Sequence, residues 1–174
     1  GGGYWVLSML RNYPERIMAV FGYSPAFEPG DYPAAARKVP VMMRHAGPAG
    51  DSCCWQTSLK EFGKLRSAGG YASIAFTPYQ SHNFSYVRYM AIPFFESVLS
   101  QRLPTGNNRE YRAMRNMDAS KAWLGDTAGY NIYKASAYPG NKMHAAWLPD
   151  SATAVRWREY VITGTVIDRT PPPA

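Results

Sequence analysis

The chain has 174 residues, the length of one modest domain, and with 46% apolar residues it can form a buried core. Its formal net charge of +7 would suit an anionic partner, but the basic residues are scattered and no nucleic-acid-binding motif accompanies them. We therefore expect a solvated basic face and no nucleic-acid site at the densest basic group, Arg102, Arg109, Arg112 and Arg115. No stretch approaches the roughly 20 apolar residues of a membrane span.

The first fourteen residues predict a close-packed turn that leads into a helix. Three glycines are followed by an amphipathic pattern whose apolar face comprises Val6, Leu7, Leu10 and Tyr13. Pro14 ends this helix because proline cannot continue it. Residues 17–21 then form a short apolar run typical of a buried strand.

The next eighty residues alternate between strand and helix signals, which is typical of a parallel α/β sheet. The helix that starts after Asp51 and Ser52 has Leu59, Phe62 and Leu65 as its buried stripe. Pro93 predicts a kink in a later helix, or a start near that proline. In chain order the predicted elements are a helical turn at 34–38, a strand at 39–43, a helix ending at Gly69, a strand at 72–77 and a helix at 87–99.

Beyond Gln101 the sequence changes character. Residues 103–136 are polar and lack periodicity, so we expect a mostly irregular extension with a turn of helix near 109–115. A last helix is predicted over 151–162, capped by Asp150 and ended near Gly164. Its inner face would carry Ala154, Trp157 and Val161. The sequence thus divides into a sheet domain at 1–101, an extension packing on it at 102–165 and a proline-rich linker at 166–174.

The beginning of the chain resembles a known family. A Gly-Gly-Tyr start, a helix, the tetrapeptide Tyr13-Pro14-Glu15-Arg16 and a hydrophobic strand are similar to the segment behind the nucleophile elbow of the α/β-hydrolase fold, as in secreted esterases. In that family the elbow is Gly-x-Ser-x-Gly. If Gly2 and Gly3 are the closing glycines, Gly1 directly follows the nucleophile serine, which lies one position before this chain begins. The resemblance implies the C-terminal part of an α/β-hydrolase sheet, with parallel strands and flanking helices.

The same resemblance assigns the acid and the base of a catalytic triad. The family order is serine, acid, histidine, with the acid and the histidine on loops that follow late strands. Asp51 and His82 follow the two predicted strands in that order, so His82 is the expected base, Asp51 its orienting acid and the Gly1 amide an oxyanion-hole donor. Asp31 is the alternative acid. Without the resemblance, Asp51 would be a helix N-cap and His82 a solvated loop residue.

The function implied is that of an exported, multi-modular serine hydrolase that cleaves carboxylic esters and needs no cofactor. The tail resembles linkers to immunoglobulin-like or fibronectin-type modules in large bacterial extracellular enzymes, and this chain alone would lack activity. The alternative is a non-catalytic binding domain on a hydrolase scaffold, docking a polysaccharide. Its aromatic platform would comprise Trp123, Tyr130, Tyr133 and Trp147, for which core packing is the competing interpretation.

The cysteines and histidines do not suggest a metal site. Cys53 and Cys54 are adjacent, and a bond between neighbours would be strained, so we expect two buried thiols or pairing with a cysteine elsewhere in the full protein. Together with His45, His82 and His144 they show no CxxC or HxxxH spacing, which argues against a metal.

Overall fold

The computed structural model describes residues 2–25, 30–80, 82, 86–106 and 113–164. Short 3-10 turns connect several elements, and the predicted turn at Ala34–Lys38 is one of them. The helices and strands of this part of the chain are α1 (Gly2–Asn12), β1 (Val20–Tyr23), β2 (Val41–His45), α2 (Gly47–Gly50), α3 (Trp55–Ser67), β3 (Ala72–Phe76), α4 (Arg88–Arg102), β4 (Trp123–Gly125), β5 (Ile132–Lys134), β6 (Ala146–Leu148) and α5 (Ser151–Thr163).

The strands β1, β2 and β3 form a parallel sheet in that order. Their side chains alternate between two apolar clusters, so Val41 and Met43 pack towards α1 and α3, whereas Met42 packs towards α4. Every residue of β2 is buried, as expected for a parallel strand covered on both faces. The predicted mixed α/β class, with parallel strands and flanking helices, is confirmed in this form.

The helices that cover the sheet use most of their predicted apolar faces. Leu7 and Leu10 of α1 are buried in one cluster with Phe62 and Leu65 of α3. Leu59, in contrast, is 38% exposed, so its placement in the stripe of α3 was wrong. The helix α4 begins five residues before Pro93, which rules out the predicted start near that proline.

The first strand begins three residues later than predicted because a distant arginine binds the chain before it. The buried guanidinium of Arg102 donates to the carbonyl oxygens of Ile17 and Met18, which lie in the predicted strand at 17–21. Arg102 is therefore structural and not part of a solvated basic face, which corrects the expectation for this residue. The exposed Arg115 also donates to main-chain carbonyls of α4 and the residue after it, while Arg109 and Arg112 lie outside the described residues.

A second, antiparallel sheet has two of its three strands in the region expected to be mostly irregular. Its strand order is β5-β4-β6, with Leu124 opposite Tyr133 on one side and Trp147 on the other. The helix α5 covers this sheet, and Trp157 packs its ring on Gly125, where a Cβ would lie 2.4 Å from the ring. The Trp157 indole N–H donates to the Ile74 carbonyl of β3 at 2.9 Å. One tryptophan thus connects the two sheets.

The last helix was predicted well. The Asp150 carboxylate accepts from the Thr153 N–H, and Gly164 ends the helix in the left-handed region at φ 71°. Ala154, Trp157 and Val161 are buried. Among the described residues, no helix has both the length and the apolar character needed to cross a bilayer.

Candidate active site

The carboxyl ends of the parallel strands bring three polar side chains together. Ser24 directly follows β1, Asp51 follows β2 after the single turn α2, and His82 lies in the loop after β3. Parallel strands end at the same edge of a sheet, which is the usual position of active sites in α/β proteins. The sequence predicted Asp51 and His82, whereas Ser24 was not among the predicted site residues.

Asp51 does not cap the helix that follows it. Its N–H donates to the Gly47 carbonyl, and its own carbonyl accepts from the N–H groups of Cys54 and Trp55. The N-cap position of α3 is Cys54, which makes no side-chain capping bond. The interpretation of Asp51 as an N-cap is therefore wrong, and its carboxylate points to the site instead.

Both carboxylate oxygens of Asp51 have partners although the residue is only 1% exposed. The Oδ1 atom is in hydrogen-bond contact with Nδ1 of His82. The Oδ2 atom accepts from the Ser24 hydroxyl at 2.7 Å and from the Ala46 N–H at 2.6 Å. Burial acts to raise the pKa of Asp51, but the hydrogen bonds from Ala46, Ser24 and His82 outweigh it and hold the pKa below its usual value. The carboxylate is therefore ionised at neutral pH.

His82 faces the carboxylate on one side and solvent on the other. Because an ionised carboxylate only accepts hydrogen bonds, Nδ1 of His82 carries the proton, and Nε2 is left as the basic nitrogen. The side chain is 57% exposed, so a hydroxyl from elsewhere can reach it. The Tyr23 ring stands edge-on to the imidazole, with the ring centroids 6.1 Å apart. The pair thus has a buried acid and an accessible base.

The C-terminal helix supports the loop that carries His82. The Tyr79 hydroxyl donates to the Val161 carbonyl of α5 at 2.8 Å, and burial raises the pKa of Tyr79 to about 12, so that it remains a donor. The Gln80 amide nitrogen donates to the Gly164 carbonyl, and its oxygen accepts from Arg44. The region predicted as an extension therefore contacts the site directly.

His45 is a second histidine at the same carboxylate. Its Nδ1 lies 3.4 Å from Oδ2 of Asp51, and the side chain is fully buried. Burial lowers the pKa of His45 to about 4 against the opposing effect of Asp51, so the imidazole is neutral at physiological pH. Within the part of the chain that the structure describes, no group of His, Cys, Asp and Glu could hold a metal ion.

The other candidate residues from the sequence are Gly1, Asp31 and His144. Gly1 lies outside the described residues. Asp31, the alternative acid, is exposed and lines a cavity of about 450 Å³ with Arg37 and Lys64. It is Asp51 whose carboxylate contacts His82. His144 is exposed in a 3-10 turn before β6.

The two cysteines form a disulfide with each other, which corrects the expectation of two free thiols. The usual span between bridged Cα atoms suggested that neighbours could not pair, but the two side chains close a ring across the single peptide bond between them. Cys53 is exposed and Cys54 is buried, in the turn between Asp51 and α3. The disulfide therefore lies two residues after the acid.

The aromatic residues considered as a platform are largely used in packing. Trp147 is buried and stacks on Tyr71 at 4.5 Å between centroids. Tyr130 packs edge-on against Trp157, and Tyr133 against Tyr138. Trp123 is half-buried and packs against the apolar cluster that contains Trp147 and Trp157. These contacts favour core packing over a stacking platform.

Comparison with known proteins leaves the site as the main evidence for function. No family model matches this chain. Curated proteins and solved structures gave no match either. What the chain does must therefore be argued from the geometry of Asp51 and His82 and the residues around them.

Proposed function

We propose that this chain carries the acid and the base of a Ser-Asp-His triad, in a serine hydrolase that cleaves carboxylic esters. The observation that supports this most strongly is the contact between a buried, ionised Asp51 and an exposed His82 at the carboxyl edge of a parallel sheet. In this proposal His82 is the general base, Asp51 orients it, and the nucleophile is a serine that precedes Gly1.

The arrangement suits acyl transfer for physical reasons. A serine hydroxyl is a weak nucleophile at neutral pH, so an imidazole must accept its proton during attack and return it to the leaving alcohol. Asp51 would hold His82 in the tautomer that leaves Nε2 basic, and its charge would stabilise the imidazolium. Charge that develops on the substrate carbonyl needs N–H donors, one of which we assign to Gly1.

The position of α1 supports a nucleophile on the residues before it. A Cβ on Gly3 would lie 2.6 Å from Pro25, so the first turn of α1 touches the residue after Ser24. Ser24 in turn binds the Asp51 carboxylate. The first turn of α1 therefore lies near the residue that binds the acid, as a serine on a turn before this helix would require. On this basis we propose that residues 1–101 belong to an α/β-hydrolase domain.

The disulfide supports export as a further part of the proposal. Disulfides persist mainly in oxidising compartments outside the cytosol, and Cys53 is bonded to Cys54 although it is exposed. We propose that residues 102–165 are an extension that supports the His82 loop through Tyr79 and Gln80. The proposed linker at 166–174 to an immunoglobulin-like or fibronectin-type module lies outside the described residues.

The test uses the full-length protein and short-chain p-nitrophenyl esters. Asp51→Asn and His82→Ala should each lower kcat by about 10⁴-fold with little change in KM, because neither side chain would bind the ground state. His144→Ala is the matched control, since this histidine is exposed and distant in sequence from the site. A protein without turnover, or variants with unchanged kcat, would contradict the proposal and favour a binding domain on the same scaffold.

A further inference from the structure

Ser24 has an unusual backbone conformation at the edge of the site. Its φ of 41° lies in the left-handed region that residues other than glycine rarely adopt. Its N–H donates to the Arg44 carbonyl at 2.8 Å, one residue beyond the last paired residue of β1. The residue is 6% exposed, so its hydroxyl is directed into the protein. Such a conformation persists only where the surrounding structure requires it.

The Ser24 hydroxyl restricts the rotation of the Asp51 carboxylate. An aspartate carboxylate turns easily about its last side-chain bond, so hydrogen bonds must fix its plane. Here Oδ2 accepts from Ser24, after β1, and from the Ala46 N–H, after β2. Because Ser24 and Ala46 both donate to Oδ2, the Oδ1 atom stays directed at His82. Without the hydroxyl, Oδ2 would keep the Ala46 N–H but lose the donor that follows β1.

Arg44 determines which way the Ser24 hydroxyl points. This fully buried arginine approaches Ser24 Oγ at 3.5 Å, and a guanidinium can only donate hydrogen bonds. The serine oxygen therefore accepts from Arg44, and its one proton is available for Asp51. Arg44 also donates to the Gln80 oxygen at 2.9 Å, two residues before His82. Arg44 thus contacts both Ser24, which binds the Asp51 carboxylate, and Gln80, which lies in the loop that carries His82.

We propose that Ser24, oriented by Arg44, is a positioning residue that holds the Asp51 carboxylate in the rotation from which it binds His82. Ser24 is not a nucleophile in this account, because its hydroxyl is buried and donates to the carboxylate. The inference deepens the proposed function and, for its effect on turnover, rests on it. The contact between the acid and the base can be measured whether or not the protein is an esterase.

The test removes the hydroxyl with Ser24→Gly. Glycine accepts the φ of 41° more readily than serine does, so the change relaxes the backbone while it deletes the hydrogen bond. The first measurement is the proton NMR signal of His82 Nδ1–H in the full-length protein. We expect a protected low-field signal in the wild type, and an upfield shift or loss by exchange in the variant.

The second measurement is turnover of p-nitrophenyl esters by the full-length protein. We expect kcat to fall by about tenfold to a hundredfold in Ser24→Gly, because a catalytic group is misplaced, with KM unchanged. Ser97→Ala is the control, since Ser97 of α4 also donates to an aspartate carboxylate, that of Asp150 at the start of α5. Ser24→Ala replaces the glycine variant if the latter does not fold.

The outcomes separate the two claims. An unchanged Nδ1–H signal, or the same decrease of kcat in Ser97→Ala, overturns the positioning role of Ser24. A rise in KM at constant kcat also overturns it, because the hydroxyl would then act on substrate binding. A wild-type protein without esterase activity refutes the proposed function, while an altered signal in Ser24→Gly would still support the positioning role.

Discussion

Acidification should destabilise this protein through His45 at a pH where carboxylates are still ionised. The side chain is fully buried, with Asp51 and the Trp55 ring beside it and Arg44 preceding it. Burial lowers its pKa to about 4, whereas the histidine of an unfolded chain titrates near 6.5. The unfolded state therefore binds the proton first as the pH falls.

The sign and size of the effect follow from this difference. The stability that neutral His45 contributes is fully present above about pH 6.5 and is lost as the pH falls towards about 4. A gap of about 2.5 between the two pKa values corresponds to about 3 kcal/mol of unfolding free energy. The lowered pKa of Asp51 acts in the same direction, and its contribution is lost as the pH falls from the ordinary aspartate value through the lower value of the folded protein. The two contributions therefore fall in different pH windows.

The assay is urea unfolding, followed by tryptophan fluorescence, at several pH values from about 7 to about 4. His45→Gln keeps a polar side chain of similar size that does not titrate. The free energy of unfolding should decrease by about 3 kcal/mol more in the wild type than in the variant across this range. Parallel curves for the two proteins would refute the reasoning, because His45 would then titrate alike in the folded and unfolded states.

Two further predictions concern packing and use the same unfolding measurement. Gly3→Ala should lower the free energy of unfolding by about 1–3 kcal/mol because its Cβ would lie 2.6 Å from Pro25. Gly2→Ala, whose Cβ has no atom within 4 Å, should leave the free energy of unfolding unchanged. Equal effects of the two substitutions would contradict the contact with Pro25. Trp157→Phe should cost about 1–3 kcal/mol because it leaves a buried carbonyl of β3 without its donor, whereas Trp5→Phe, at a position 62% exposed, should be neutral.

The parallel half of the fold could be predicted because its signals are local. The strand predicted at 39–43 overlaps β2, which begins and ends two residues later, and the stripe of Phe62 and Leu65 follows a helix period that needs no knowledge of partners. The start of β1 was misplaced because Arg102, which lies 84 residues after Met18, binds the carbonyls of Ile17 and Met18. Sequence periodicity carries no information about such a long-range contact.

The second sheet could not be predicted because its strands are too short to show a period. The strands β4, β5 and β6 have three residues each, and their pairing brings together segments separated by loops. The packing of Trp157 on Gly125 contributes to their arrangement, and only the folded chain shows it. In the same region α5 was predicted almost completely, because Asp150 and Gly164 are local start and stop signals.

The candidate site was also predicted only in part. Asp51 and His82 were predicted from the family resemblance together with their order after successive strands, and the structure brings them into contact. The contributions of Ser24, Arg44 and His45 were missed, since they depend on the alignment of β1 with β2. One signal was available: polar residues directly after adjacent parallel strands meet at one edge of the sheet.

The most direct test of the central claim is covalent labelling of the full-length protein with a fluorophosphonate, which reacts with activated serines. The labelled residue is identified by mass spectrometry in the wild type and in His82→Ala. We predict a single labelled serine directly before Gly1, with labelling lost in the variant. Absence of that label in the wild type, or equal labelling in His82→Ala, would contradict a triad built on Asp51 and His82.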